Sequence, residues 1–387
     1  MDFLMLEPGI ENYIEELQDR IIALDVWHVA LPVVSRRDHG IGTVADKMEV
    51  VVLRLTTESG VTGHGEASPW SVFTGTPEAS YAAINRYFRP LVVNARVADF
   101  ESIMAKLEKI VIHCTEAKAA MEMAWLDVVG KLVGKPVWAL LGKQCRQEIP
   151  LSVSLANPDF DQDLQLLSRL QEDGVGIVKL KTGFRDDQFD EMRVSTIRKK
   201  FPDFKLRIDY NQGLESSTAL ASVAKLDVYQ PDFIEQPVAA HDFDSMARIR
   251  KTISAPLLAD ESVFSPQDMR RAIKEEICDG VSIKIMKSSG IRHGLTIAEI
   301  AASAKLPAYG GDMFETGLAH MAGIHMISVA ANISLGCEFY HAKYYLVDDI
   351  LNEPLPIEQG SLLVPNKPGL GVEVNEDVLN KYSVGNQ

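Results

Sequence analysis

From about residue 149 the chain alternates short apolar runs with longer stretches of helical period. Runs near 149–155, 176–181, 205–210, 232–236, 256–260, 280–285, 306–310 and 333–338 have the length and β-branched content of buried strands. The stretches between them read as amphipathic helices. Strand and helix in alternation predict a parallel β/α repeat, and eight units predict a closed barrel rather than an open sheet. One helix start is explicit: Ser265 as N-cap, Pro266 in the first turn and Asp268 three residues on.

Upstream the pattern differs. Residues 1–20 read as an extension, and RIIALDVWHVAL alternates weakly, as a half-buried strand does. MEVVVLRLTTESGVTGHGEA reads as a hairpin, with strands 48–57 and 61–66 about a turn at Ser59-Gly60. The intervening VSRRDHGIGTVADK lacks a period and carries glycines, which predicts a mobile loop. Thr76-Pro77 opens a run of helical patterns that lasts to residue 133. Strands followed by helices predict a separate α+β domain over 21–133. The barrel then covers 149–338, and the Pro- and Gly-containing segment 339–387 returns to pack on the smaller domain.

Charge changes this picture. Lys181, Asp209, Glu235, Asp260 and Lys284 each close or interrupt an apolar run, at intervals of 28, 26, 25 and 24 residues. That is one strand plus one returning helix. Successive strand ends in a parallel barrel meet at one face, so the spacing converges three carboxylates and two lysines. Alone, any of these acids is as readily a helix cap or a solvated loop residue. Three oxygen ligands suit a hard cation such as Mg²⁺.

Bulk composition narrows the class. With 387 residues and 46% hydrophobic content, the chain can bury a large core. A formal net charge of −15 argues against a nucleic-acid partner. Cys114, Cys145, Cys278 and Cys337 form no CxxC pair, so neither a zinc site nor a disulfide framework is expected. No GxGxxG follows an early strand. No run spans a membrane and the first twenty residues lack a signal-peptide pattern, which predicts a cytoplasmic protein.

The motifs taken in order resemble the enolase superfamily, and within it the muconate lactonizing enzyme (muconate cycloisomerase) subgroup. They are Lys179-Leu180-Lys181, Asp209-Tyr210-Asn211, Glu235-Gln236-Pro237, Asp260-Glu261-Ser262, Lys284 in KIMKSSG, Glu338 in GCEFY and the closing PGLGVEV. The resemblance runs from about residue 20 to the C-terminus. It implies a modified (β/α)8-type barrel, (β/α)7β, under an α+β capping domain. It implies Mg²⁺, or Mn²⁺ in its place, on Asp209, Glu235 and Asp260, with Lys181 and Lys284 as base and acid across the pocket. This superfamily uses a Lys or His base with Mg²⁺ to stabilise an ene-diolate. Lys179 shares a strand face with Lys181 and would lower its neighbour's pKa by repulsion. Asn211 and Glu261 would orient the ligands, with an ordinary polar loop position as the alternative, and Lys287 reads as an outer or substrate-orienting residue. A homo-oligomer, dimer or octamer, acting on a small carboxylate is implied as well.

The far end of the pocket is read less directly. Glu315 in GGDMFETG and Phe339 beside Glu338 would line the substrate, with plain packing as the alternative for Glu315 and Glu338. The subgroup usually reads GGTMLEG at the first of these, so Asp312 and Thr316 depart from it. Arg36, Arg37 and His39 would cap the barrel mouth and, with Lys47, meet a distal carboxylate; a solvated loop is the alternative. The expected reaction is a muconate cycloisomerase-like lactonization through an enolate. The same two-lysine site also serves N-acylamino-acid or dipeptide racemisation and epimerisation, or dehydration of a hydroxylated amino acid. A binding protein that kept the barrel without activity is the reading from another class.

Overall fold

The structure, a computed structural model, describes residues 14–385. The first thirteen residues of the expected extension lie outside that range. Three long strands open the fold: β1 (Ile21–Pro32), β4 (Lys47–Thr57) and β5 (Thr62–Ala67) form one antiparallel sheet in the order β1-β4-β5. Val50 to Leu53 are fully buried between this sheet and its helices. Each such side chain contributes about 1.5–3 kcal/mol relative to exposure.

The helix laid on this sheet is α1 (Thr115–Leu132), buried along most of its length. Gly65 explains how closely it sits. A Cβ there would fall 1.9 Å from the carbonyl oxygen of Ala120. Earlier, Thr76 caps the helix that starts at Pro77, as the sequence indicated, its side chain accepting from the Ala79 N–H.

The loop between β1 and β4 departs from expectation. Instead of a mobile segment, β2 (Arg37–His39) and β3 (Gly42–Val44) form a short antiparallel hairpin. Its strands are only three residues long, too short for alternation to register in the sequence. The hairpin is tied down: the Asp38 N–H donates to the carbonyl of Ala156 at 2.8 Å.

The second sheet has seven parallel strands in sequence order. They are β7 (Ser152–Leu155), β8 (Ile177–Lys181), β9 (Lys205–Asp209), β10 (Ile234–Glu235), β11 (Leu257–Ala259), β12 (Gly280–Ile283) and β13 (Ala308–Gly310). Seven of the eight expected strands are therefore present. The eighth, 333–338, is reduced to Cys337, which bridges both Leu151 and Gly310 and so joins the two edges. Gly336 at φ 77° breaks the extended run just before it. The capping box at Ser265 and Asp268 is present as read from the sequence. The C-terminal segment returns to the first sheet, where the Ala30 N–H donates to the carbonyl of Tyr382 at 2.9 Å.

A buried carboxylate helps lock the two parts together. Glu122 of α1 accepts from the Arg292 guanidinium at 2.6 Å and from the Ile291 N–H at the start of a barrel helix. Among the described residues no helix is long and apolar enough to cross a membrane.

Candidate active site

Strand register builds the site. Lys181 pairs with Asp209 and Asp209 with Glu235, so three charged residues lie side by side across β8, β9 and β10. Asp260 follows β11 and Lys284 follows β12. All five are buried. A parallel strand with no solvated face has no ordinary use for such residues. The backbone turns sharply after the acids: Asn211 has φ 42° and Gln236 has φ 34°. Gln236 uses its turn. Its side-chain oxygen accepts from the Asp260 N–H at 2.9 Å and its amide donates to Ser262 Oγ at 2.9 Å. The Glu-Gln-Pro motif thus fixes the next strand's loop.

The ion pairs are short. Lys181 Nζ lies 2.7 Å from Asp209 Oδ2, and Lys284 Nζ lies 2.6 Å from Asp260 Oδ2. Burial pushes Asp209 and Asp260 up, but the lysines outweigh it and hold both below the usual carboxylate range. Burial lowers Lys284, yet Asp260 and Glu261 more than reverse that, so it is an ammonium. Glu235 is pushed up by burial, with Asp209 and Asp260 adding to the effect against Lys179.

Buried oxygens without a donor mark where a cation fits. Glu235 Oε1, Glu261 Oε2 and Asn211 Oδ1 each lack a hydrogen-bond partner. Every candidate ligand is a hard oxygen donor, the set that Mg²⁺ prefers. Asn211 donates to Glu261 Oε1 at 3.1 Å and its N–H to Asp209 Oδ1 at 2.8 Å, which ties the loops of two strands together.

Two lysines differ from their sequence reading. Lys179 is fully buried among carboxylates, 3.0 Å from Asp209, 3.3 Å from Glu235 and 2.5 Å from Glu338. Burial opposes its charge, but these partners hold its pKa well above the ordinary value. Its charge organises the acids rather than serving only to repel Lys181. Lys287, read as an outer residue, is fully buried. It donates to Asp260 Oδ1 at 2.7 Å, to the Asp260 carbonyl at 2.6 Å and to the Ser282 carbonyl at 3.0 Å. It holds Asp260 in place.

The far end is also rearranged. The space between the lysines is about 30 Å³, lined by Lys181 and Lys284 and closed by His39, Trp70, Phe314 and Tyr340. That is room for about one water. A larger cleft of about 950 Å³ lies between β5 and the C-terminal segment and holds none of these groups. His39 reaches the pocket, packing edge-on to Trp70 at 5.2 Å and Phe314 at 5.4 Å. Arg36 turns outward to Asp38 at 2.9 Å. Arg37 is buried beneath the hairpin, donating to the Ser154 carbonyl and lying over the Tyr340 and Tyr345 rings. Neither arginine lines this pocket. Lys47 pairs with Glu49 at 3.1 Å on the surface.

Phe339 points away as well, stacking on His320 at 5.3 Å; its neighbour Tyr340 lines the pocket. Glu315 accepts from the Met313 N–H at 3.1 Å within its own loop. Glu338 does line the pocket and is bound by Lys179 and by the Ser154 hydroxyl. Trp70, Phe73, Phe314 and His341 were missed from sequence; only Trp70, beside a Ser-Pro turn, carried any local signal. The Thr316 departure has a partner, since its N–H and hydroxyl donate to the buried Glu66 of β5.

The hairpin's seat depends on Gly40. A Cβ there would meet the Tyr210 carbonyl oxygen at 2.1 Å and Gly213 Cα at 2.7 Å. Gly40→Ala is expected to lift the hairpin off the β9 loop and lower kcat/KM about tenfold, or about 1.4 kcal/mol. Steady-state kinetics beside a thermal melt checks this. An unchanged kcat/KM would show that the hairpin does not close the site.

Paired lysines and clustered carboxylates at the mouth of a capped α/β barrel define an enzyme class that stabilises anions formed next to carboxylates. Comparison with known proteins gives the family. Residues 21–142 match the mandelate racemase / muconate lactonizing enzyme N-terminal domain, and residues 163–378 match the enolase C-terminal domain-like family. Chloromuconate cycloisomerase of Cupriavidus pinatubonensis is 34% identical over 340 residues, 86% of this chain and 91% of that protein. N-succinyl-L-Arg/Lys racemase of Bacillus cereus is 30% identical, covering 94% and 98%. The muconate lactonizing enzyme from Pseudomonas fluorescens, solved with muconolactone, superposes with a TM-score of 0.91 at 29% identity, covering 95% and 100%. The chain belongs to the enolase superfamily, in its muconate lactonizing enzyme subgroup, and is an isomerase of that superfamily.

Proposed function

We propose that this isomerase forms and quenches an enolate next to a substrate carboxylate, in a muconate cycloisomerase-like lactonization. The observation that carries the reading is the placement of Lys181 at the end of β8 and Lys284 just after β12, with the buried acids at the ends of β9 to β11 between them. Mg²⁺ held by Asp209, Glu235 and Asp260 would supply positive charge beside the substrate carboxylate. Lys179 and Lys287 hold Asp209 and Asp260 in register. Lys284, held as an ammonium, donates a proton or its charge to the carbon bearing the developing anion. Lys181 approaches from the other side, with its backbone carbonyl fixed by Arg193 at 2.7 Å.

A second reading rests on the same pair. Two lysines on opposite sides of one carbon suit racemisation or epimerisation, in which one removes the proton and the other returns it. The likeness to an N-succinyl-amino-acid racemase supports it. One experiment separates the two. Incubation with Mg²⁺ in D₂O is expected to convert cis,cis-muconate to a lactone carrying one deuterium. Inverted N-succinylamino acids with deuterium at the α carbon would favour the second reading. Neither product, and no exchange across a broad carboxylate library, would remove both.

A further inference from the structure

One cluster in the pocket is left unused by the lysines and the metal ligands. Asp312 follows β13, and its Oδ2 lies 2.7 Å from His341 Nδ1 and 3.1 Å from His320 Nε2. All three residues are buried. The two rings lie nearly parallel, at 15°, with centroids 5.7 Å apart. Asp312 and His341 both line the space between the lysines. With Nδ1 turned to Asp312, Nε2 is the nitrogen His341 has left for a bound group.

We propose that His341, oriented by Asp312, grips the far carboxylate of a dicarboxylate substrate and takes up one proton as that carboxylate arrives. This rests on the reading above that the near carboxylate goes to the metal end. Before binding, burial lowers the His341 pKa despite Asp312, which disfavours the imidazolium. Asp312 itself stays ionised: burial opposes this, but His341 and His320 outweigh it. A second carboxylate at Nε2 places the ring between two anions, and both favour the imidazolium. The imidazolium donates from both nitrogens, which the neutral ring cannot do.

The groups facing this ring are compatible with that role. Asp312 and His320 flank it, Tyr340 and Tyr345 come from its own segment, and Arg37 lies beneath. Lys181, Lys284 and Glu338 share the pocket, and so does His39. Burial, Lys181 and Arg37 hold His39 well below its ordinary pKa, so His341 rather than His39 is the ring that gains the proton. Ring closure turns the far carboxylate into a neutral ester, so the proton returns to water with the product.

The sign follows from linkage. The ligand raises the His341 pKa, so its added affinity is full below the free-state pKa. It is lost progressively as pH rises to the bound-state pKa.

Adipate and hexanoate are suitable probes, because they share a six-carbon chain and differ only in the far carboxylate. Calorimetry on the Mg²⁺-loaded full chain, in buffers of different ionisation enthalpy, is expected to show uptake of about one proton with adipate and none with hexanoate. Adipate is expected to bind at least about tenfold more tightly. His341→Gln and Asp312→Asn should each abolish the difference. Asp312→Asn keeps the shape of the side chain, so a folded variant that still binds hexanoate reports on charge alone. Equal proton uptake for the two acids, or uptake unchanged in both variants, would overturn the proposal. So would one Zn²⁺ bound per chain and lost in His341→Gln, because the three ligand atoms lie within 4.8 Å of one another and would then form a metal site. If neither acid binds, the metal-end reading fails, and this proposal with it.

Discussion

Lys284→Ala is expected to lower kcat by at least about a thousandfold on the true substrate, and Lys181→Ala to do the same, about 4 kcal/mol of barrier each. Lys284 Nζ lies 2.6 Å from Asp260 and 4.6 Å from the centre of the Phe73 ring. The aromatic wall and the carboxylate both favour the ammonium there. The pocket that it lines is only about 30 Å³. Alanine therefore removes both the proton donor and the local positive charge. The two variants should differ in one respect. If the reaction is a lactonization, the lysine that does not move the proton contributes charge alone, and its replacement by arginine should restore part of the rate. If it is an epimerisation, arginine restores neither. Pre-steady-state kinetics reads the proton step through the solvent isotope effect in D₂O for a lactonization, and with α-deuterated substrate for an epimerisation. Near-normal turnover by Lys284→Ala would show that the paired-lysine mechanism is wrong.

Asp260→Asn is expected to weaken Mg²⁺ binding at least about tenfold and to abolish turnover. The effect should exceed that of losing one ligand charge. Asp260 carries two lysines, Lys284 on one oxygen and Lys287 on the other. Lys287 is fully buried and would keep the two backbone carbonyls and at most a neutral amide oxygen, losing the carboxylate charge that balances it. Removing one partner of a buried ion pair costs about 3–5 kcal/mol, so the thermal midpoint should fall as well. A double variant, Asp260→Asn with Lys287→Met, is expected to regain stability without regaining metal affinity. Calorimetric titration with Mg²⁺ and a melt on the same samples separate the two effects. Undiminished affinity in Asp260→Asn would remove this residue from the metal site.

How much of this was legible beforehand depended on the kind of signal. Lys181, Asp209, Glu235, Asp260 and Lys284 stood out because a charge inside a buried parallel strand has no ordinary reason to be there, and their spacing repeated. Their convergence followed from topology alone. Pairings between loops left no such trace. Asp312 and His341 are 29 residues apart, and Glu66 and Thr316 are 250 apart. Each is an ordinary polar residue locally. Phe339 and Tyr340 illustrate a shift of one position: the two neighbours face different ways, Tyr340 lining the pocket and Phe339 stacking on His320. The arginines of the hairpin were misplaced for a related reason. A three-residue strand gives too few positions to say which side is inward, and Arg37 and His39 both proved buried while Arg36 faces out.

The join at Cys337 has a consequence for how the molecule opens. The barrel's two edges are held by main-chain bonds to an irregular segment bridged only at Cys337: Cys337 N–H to Pro150 and Ser152 N–H to Cys337 on one side, and Gly310 N–H to Gly336, Glu338 N–H to Gly310, Ala308 N–H to Asn332 and Leu335 N–H to Ala308 on the other. By contrast β8 and β9 are paired at five successive positions, the longest ladder of the barrel, while β10 and β11 share two. A short seam parts at lower free energy than a ladder, so amide hydrogens at 310 and 337–338 should exchange with solvent ahead of those in β8 and β9. Glu338 sits at the end of that seam and grips Lys179. Each parting of the barrel would loosen the counter-charge of a buried lysine, so the seam's breathing and the site's electrostatic order would rise and fall together.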